Sequence, residues 1–140
     1  MSRYEIILEN YSKAIHIESR TMTEMMKKDL LPSVYAYMGQ VAKAANEKKA
    51  LSSALSVSCE EELLTKLTSL SETITTLTEK LEADTKEAET IEDMLERAKF
   101  YCYTVLALMD EIRAAADEAE SLVPDALLPY PTYDKLLFSV

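Results

Sequence analysis

The chain has 140 residues, 48% of them hydrophobic, which is enough for one core of ordinary size and too little for two linked domains. A single glycine and four prolines are too few for the hairpins of a sheet protein, so the expected fold class is all-α. A net charge of −10 repels phosphate backbones and anionic lipid, and no run approaches the roughly 20 apolar residues that span a bilayer. Nucleic acid and membrane are therefore excluded as expected partners. Residues 1–10 also lack the basic, apolar and small-residue order of an export signal, so the expected location is cytoplasmic.

In chain order, residues 3–50 carry Ile7, Tyr11, Ile15, Met22, Met25, Met26, Val34, Met38, Val41, Ala42 and Ala45, mostly three or four apart. This predicts a first helix, or two joined end to end. Pro32 removes an amide donor and crowds the carbonyl of Lys28, so a kink or restart is expected near residues 28–32. The serine-rich stretch ALSSALSVS at 50–58 reads as a loop. Ser58 and Glu61 fit a capping box for a second helix over 59–83, whose seam is Leu63, Leu67, Leu70, Ile74, Leu77 and Leu81. Its opposite face is rich in threonine, so its helicity must come from packing rather than from local preference.

A third helix is expected over 88–122, with a seam of Ile91, Leu95, Ala98, Cys102, Val105, Met109, Ile112, Ala116 and Ala119. Asp84 and Glu87 supply a plausible cap, so the chain is expected to reverse at 83–88 and close an antiparallel bundle of three long helices. The heptad phase runs on from Leu81 through Ala88, so one unbroken helix of about 60 residues competes with that reading. Pro124, Pro129 and Pro131 predict an extended tail over 123–140, whose apolar end from Tyr133 to Val140 should lie against the bundle or against a partner.

Charge is uneven along the chain. Eight basic and six acidic residues give 1–58 a net +2, while seven and nineteen give 59–140 a net −12. The cluster of Lys43, Lys48 and Lys49 is therefore expected near the acidic third helix or near a partner.

Chemistry-bearing constellations are scarce. His16 and Glu18 invite a metal reading, but four-helix di-iron sites need two Glu-x-x-His pairs and this is the one histidine; a partly buried or capping imidazole is expected instead. Cys59 lies in a helical first turn that lowers thiol pKa values, yet Glu60, Glu61 and Glu62 oppose the effect. Cys102 is expected as a small core residue, and Met22, Met25, Met26 and Met38 as core packing. Tyr101 and Tyr103 should point away from the seam, at least one of them as an interface or tail-docking residue. The carboxylates of residues 111–120 spread around a helix instead of converging in a calcium loop. No residue is singled out as catalytic, cofactor-binding or metal-ligating.

Several segments resemble a known family. ENYSKAIHIE at 9–18, continuing to Thr21, Met22 and Met25, is similar to the start of the C-terminal helical region of type III glutamine synthetases. LPSV at 31–34 resembles that family's kinked first helix, ERAKFY at 96–101 through MDEIRAAAD at 109–117 its last helix, and LPYPTY at 128–133 through LLF at 136–138 its terminus. The resemblance implies that the chain is a non-catalytic structural and assembly domain of a much larger ATP- and magnesium-dependent ligase that joins ammonia to glutamate. Its implied partners are the catalytic domain of the same polypeptide and neighbouring subunits of a dodecameric ring. The implied chemistry lies upstream, so no site residues carry over, and no cofactor is expected on this chain. Without the resemblance, the residues alone would give a free-standing helical-bundle or coiled-coil adaptor.

Overall fold

In the computed structural model, which describes residues 2–130, three long helices pack in an up-down-up arrangement with no strand among the described residues. The first, α1, runs as Arg3–Glu24, a π turn Met25–Leu30, and Leu31–Leu51 without interruption. Ser2 caps it, its hydroxyl accepting the Glu5 amide at 3.1 Å. Pro32 is absorbed rather than obeyed as a stop. In the widened turn just before it, the Leu31 amide reaches back five residues to the Met26 carbonyl, and the Ser33 hydroxyl donates to the Asp29 carbonyl at 2.9 Å.

The loop after α1 covers residues 52–57, and its serines serve the backbone: Ser52 accepts the Ala54 amide and Ser56 the Ser58 amide. The second helix, α2, is Ser58–Glu89. The capping box expected at Ser58 and Glu61 does not form, because the helix starts one residue earlier: the Glu61 amide donates to the Val57 carbonyl, and Val57 holds the cap position. Lys48 anchors this end, its Nζ 2.8 Å from Glu60 Oε2, so the lysine cluster meets the start of α2 and not the acidic third helix. That hydrogen bond holds the Glu60 carboxyl below its usual range.

The chain reverses at residues 90–93, several positions beyond the expected 83–88, and α2 reaches Glu89 instead of residue 83. Asp84 is buried inside α2 and paired with Lys80, so nothing breaks the helix there. The working cap is Asp93, whose carboxylate accepts the Glu96 amide at 2.9 Å. The single 60-residue helix is thereby excluded. The third helix, α3, consists of Met94–Phe100, a π turn Tyr101–Val105 and Leu106–Leu122, so it starts at 94 and not 88.

The core draws on all three helices: Ile15, Met26, Leu30 and Val34 from α1, Leu67, Ile74, Leu81 and Ala88 from α2, and Val105, Met109, Ile112, Ala116 and Ala119 from α3. On α2 the buried face is rotated toward small polar residues. Leu67, Ile74 and Leu81 are buried as expected, but Leu63, Leu70 and Leu77 are half-buried, while Ser71, Thr78 and Thr85 lie inside. Small side chains on that flank let a neighbouring helix come close.

On α3, Ala98, Val105, Met109 and Ile112 are buried as expected, while Ile91 falls in the loop, half-buried, and Leu95 and Cys102 face outward. Tyr101 takes the place expected for Cys102. A π turn uses more residues per turn than an α turn, so residues four apart, Tyr101 and Val105, fall into line and Cys102 rotates away.

Past α3, Val123 is buried, Asp125–Leu127 forms a short 3-10 turn where extended chain was expected, and Leu128 is buried against the bundle. The Tyr130 hydroxyl donates to Glu120 Oε1 at 2.6 Å. The expected docking of the apolar end, Tyr133 to Val140, lies outside the described residues. None of the described helices is long and apolar enough to cross a membrane.

Candidate functional site

A polar cluster lies where the middle of the first half of α1 meets the end of α2 and the start of α3. His16 sits half-buried at this junction, Nδ1 3.2 Å from the Tyr101 hydroxyl and Nε2 3.3 Å from a Glu89 carboxylate oxygen, with the two rings edge to face. One residue thus ties three helices. Glu18, its supposed companion, is exposed and takes no part. Three positions along α1, Ser19 and Thr85 share a buried 2.6 Å hydrogen bond between α1 and α2, so neither hydroxyl is left unsatisfied.

Two grooves open from this junction. One, of about 420 Å³, runs between α1 and α2 past Arg20, Thr23, Lys27, Glu82 and Lys86, and Lys27 bridges it to Glu82. The other, of about 290 Å³, lies between α1 and α3 and is lined by Ser12, His16, Glu89, Arg97 and Tyr101 among others. The Tyr101 phenol is pushed up by burial and by the Glu89 charge, with Arg97 pulling it partly back.

The other sequence candidates are scattered. Cys59 is exposed at the start of α2, and Cys102 is exposed on α3 instead of lying in the seam. Beside Cys102 lies the Tyr11 hydroxyl, its pKa pushed up to about 12 by a hydrogen bond with that thiol, by partial burial and by the nearby Cys102 and Tyr103. Tyr101 belongs to the core, contrary to expectation, while Tyr103 is 75% exposed. Met26 is buried and Met22 and Met38 are half-buried, but Met25 looks outward. Of the acidic run on α3, Glu120 is engaged with Tyr130, and Glu111, Asp117 and Glu118 are solvated.

Among the described residues, no group of three or more His, Cys, Asp or Glu side chains converges as a metal site would require. The sequence reading missed the role of Tyr101 and Arg97. A helical tyrosine one turn before a seam residue carries no distinguishing mark until the π turn is known.

The family model described as "Glutamine synthetase C-terminal domain" matches residues 1–49. Among curated proteins, the chain is 48% identical over 139 residues to a glutamine synthetase of Butyrivibrio fibrisolvens, an alignment covering 99% of this chain and 20% of that protein. It is 29% identical over 141 residues to a type-3 glutamine synthetase of Dictyostelium discoideum, covering 98% of this chain and 19% of the relative. A glutamine synthetase of Bacteroides fragilis aligns at 26% identity over 141 residues, with the same coverage. The chain spans about a fifth of the length of the curated relatives it matches. The resemblance read from its segments is thereby supported: along nearly its whole length the chain is similar to glutamine synthetases, a type-3 enzyme among them, and over residues 1–49 it matches the model of their C-terminal domain.

Proposed function

We propose that the chain is a non-catalytic structural and assembly domain of a type III glutamine synthetase, the larger ligase making glutamine from glutamate, ammonia and ATP with magnesium. The observation that carries this reading is the 139-residue alignment at 48% identity with a glutamine synthetase of which those residues make up only 20%. The described residues do not suit a magnesium or nucleotide site, since no group of three or more His, Cys, Asp or Glu side chains among them is placed to hold a metal and the one glycine lies inside α1. No catalytic step is therefore derived on this chain.

Its contribution is packing. The partners in this reading are the catalytic domain of the same polypeptide and neighbouring subunits of a ring. Tyr4, Ile7 and Tyr103 project apolar surface around the half-buried Tyr11, where α1 and α3 meet, and such a face suits another protein surface. The π turn at Met25–Leu30 lies just ahead of Pro32 inside α1, where it changes which residues α1 turns toward a neighbour. Two exposed, unpaired cysteines suit the reducing cytoplasm in which we place the enzyme. The test is deletion of the region equivalent to 1–140 from the full-length enzyme, followed by gel filtration and thermal melting. Loss of the assembled species, or a clearly lower melting temperature, is expected; a truncated enzyme that assembles and melts normally overturns the reading.

A further inference from the structure

The groove between α1 and the start of α3 is built around a cation set in place before any ligand arrives. Arg97 is half-buried, and its Nε donates to the Ile91 carbonyl at 2.7 Å, fixing the plane of the guanidinium. Among the described residues nothing takes its terminal nitrogens, the pair that grips a carboxylate with two parallel hydrogen bonds. Ser12 lies across from it, 6% exposed, and its buried hydroxyl has no hydrogen-bond partner. Buried hydroxyls are nearly always satisfied, so one left open beside a polar groove marks a place for a ligand atom.

Ser12 and Arg97 line both this groove of about 290 Å³ and an adjoining one of about 240 Å³ shared with Glu9, Glu92 and Met94. The lining charges are mixed. Lys13 pairs with Glu9 at 3.3 Å, and Glu89 faces His16 at 3.3 Å while staying well exposed to solvent. A simple anion drawn to Arg97 would meet Glu9 and Glu89, and a simple cation would meet Arg97 and Lys13. A ligand carrying both signs meets a partner for each. The volume falls just below the roughly 300–1,000 Å³ of drug-sized sites, which suits a molecule of a few heavy atoms.

We propose that this groove is a binding site for a free α-amino acid, its carboxylate on the Arg97 guanidinium with the Ser12 hydroxyl donating to it, and its ammonium facing Glu89. The Tyr101 hydroxyl and His16 form the wall between the two ends.

The experiment is an amide-shift NMR titration of the 140-residue chain with glycine, and separately with acetate and with methylammonium. Glycine should move the Ser12, His16 and Arg97 amides saturably in the millimolar range, with the two half-ligands each about tenfold weaker. Ser12→Ala keeps the volume and should melt no lower than the parent while weakening glycine severalfold. Arg97→Lys keeps the charge but loses the paired donors, and should abolish saturation. The proposal is overturned if glycine gives no saturable shift, if acetate binds as tightly as glycine, or if both variants bind glycine like the parent.

Discussion

Thr78, like Ser12, buries an uncompensated hydroxyl. It is 1% exposed, and its hydroxyl has no partner. Leaving a hydroxyl dry and unpaired costs about 1–3 kcal/mol, so Thr78→Val, which keeps the shape and removes the polar atom, should stabilise the chain by about 1 kcal/mol. A drop in the denaturant midpoint would show that the hydroxyl has a partner after all. The tyrosines give a second residue-scale expectation. Tyr130 is raised by burial and by its hydrogen bond to Glu120, Tyr101 by burial, and Tyr11 to about 12 by its contact with Cys102. In each case the folded state holds the phenol proton above the ordinary value of 10, at which the unfolded chain releases it. Their stabilisation is therefore complete below about pH 10 and lost as pH climbs through the folded values. Denaturant titrations at pH 9 and pH 11 should show the fall, and Tyr130→Phe should flatten it. An equal slope in wild type and variant would mean that Tyr130 contributes nothing.

The helices of this protein are long, and at that scale the two π turns decide which residues face inward. Val105 is fully buried, whereas Cys102, its predicted neighbour in the seam, is exposed. Val105→Asp should therefore cost several kcal/mol, enough to unfold the chain, while Cys102→Asp should shift stability by less than about 1 kcal/mol. Similar melts for the two would restore Cys102 to the core. Gly39, inside α1, offers a gain: a Cβ there meets nothing within 4 Å, so Gly39→Ala should raise stability by about 0.5–1 kcal/mol through helix propensity alone. Circular dichroism melts read both. Helix number and the buried apolar residues Leu67, Ile74 and Leu81 were legible in the sequence because one of the two heptad positions of α2 faces the core, while the other, Leu63, Leu70 and Leu77, lies half-buried on its flank. The reversal was not, because Asp84 and Asp93 look alike as caps and only the packed structure buries Asp84 against Lys80. The inward turn of Tyr101 was equally hidden, since a periodic count assumes α turns throughout and a π turn changes the phase. The groove of Ser12 and Arg97 joins positions 85 apart, a pairing that no local pattern encodes.

Taken as a whole, the molecule has a core that closes on itself and an outer face that does not. Tyr4 and Ile7 are each more than half exposed at the start of α1, and Tyr103 stands near them on α3, beside Tyr11. An exposed apolar side chain adds little to the stability of the chain that carries it, but covered by a partner it can become one of the few residues that dominate an interface. The two roles separate experimentally. Ile7→Glu combined with Tyr103→Glu should leave the melting of the isolated chain within about 0.5 kcal/mol of the parent, because neither side chain belongs to the core cluster. In the proposed full-length synthetase, the same pair should weaken assembly by about 2 kcal/mol or more, read as an upward shift in the concentration at which the ring dissociates on gel filtration. If the enzyme assembles normally while carrying both charges, this face is not the contact and the packing surface lies elsewhere on the bundle. If the isolated chain itself loses stability, the two residues serve the fold, and their exposure has been misread.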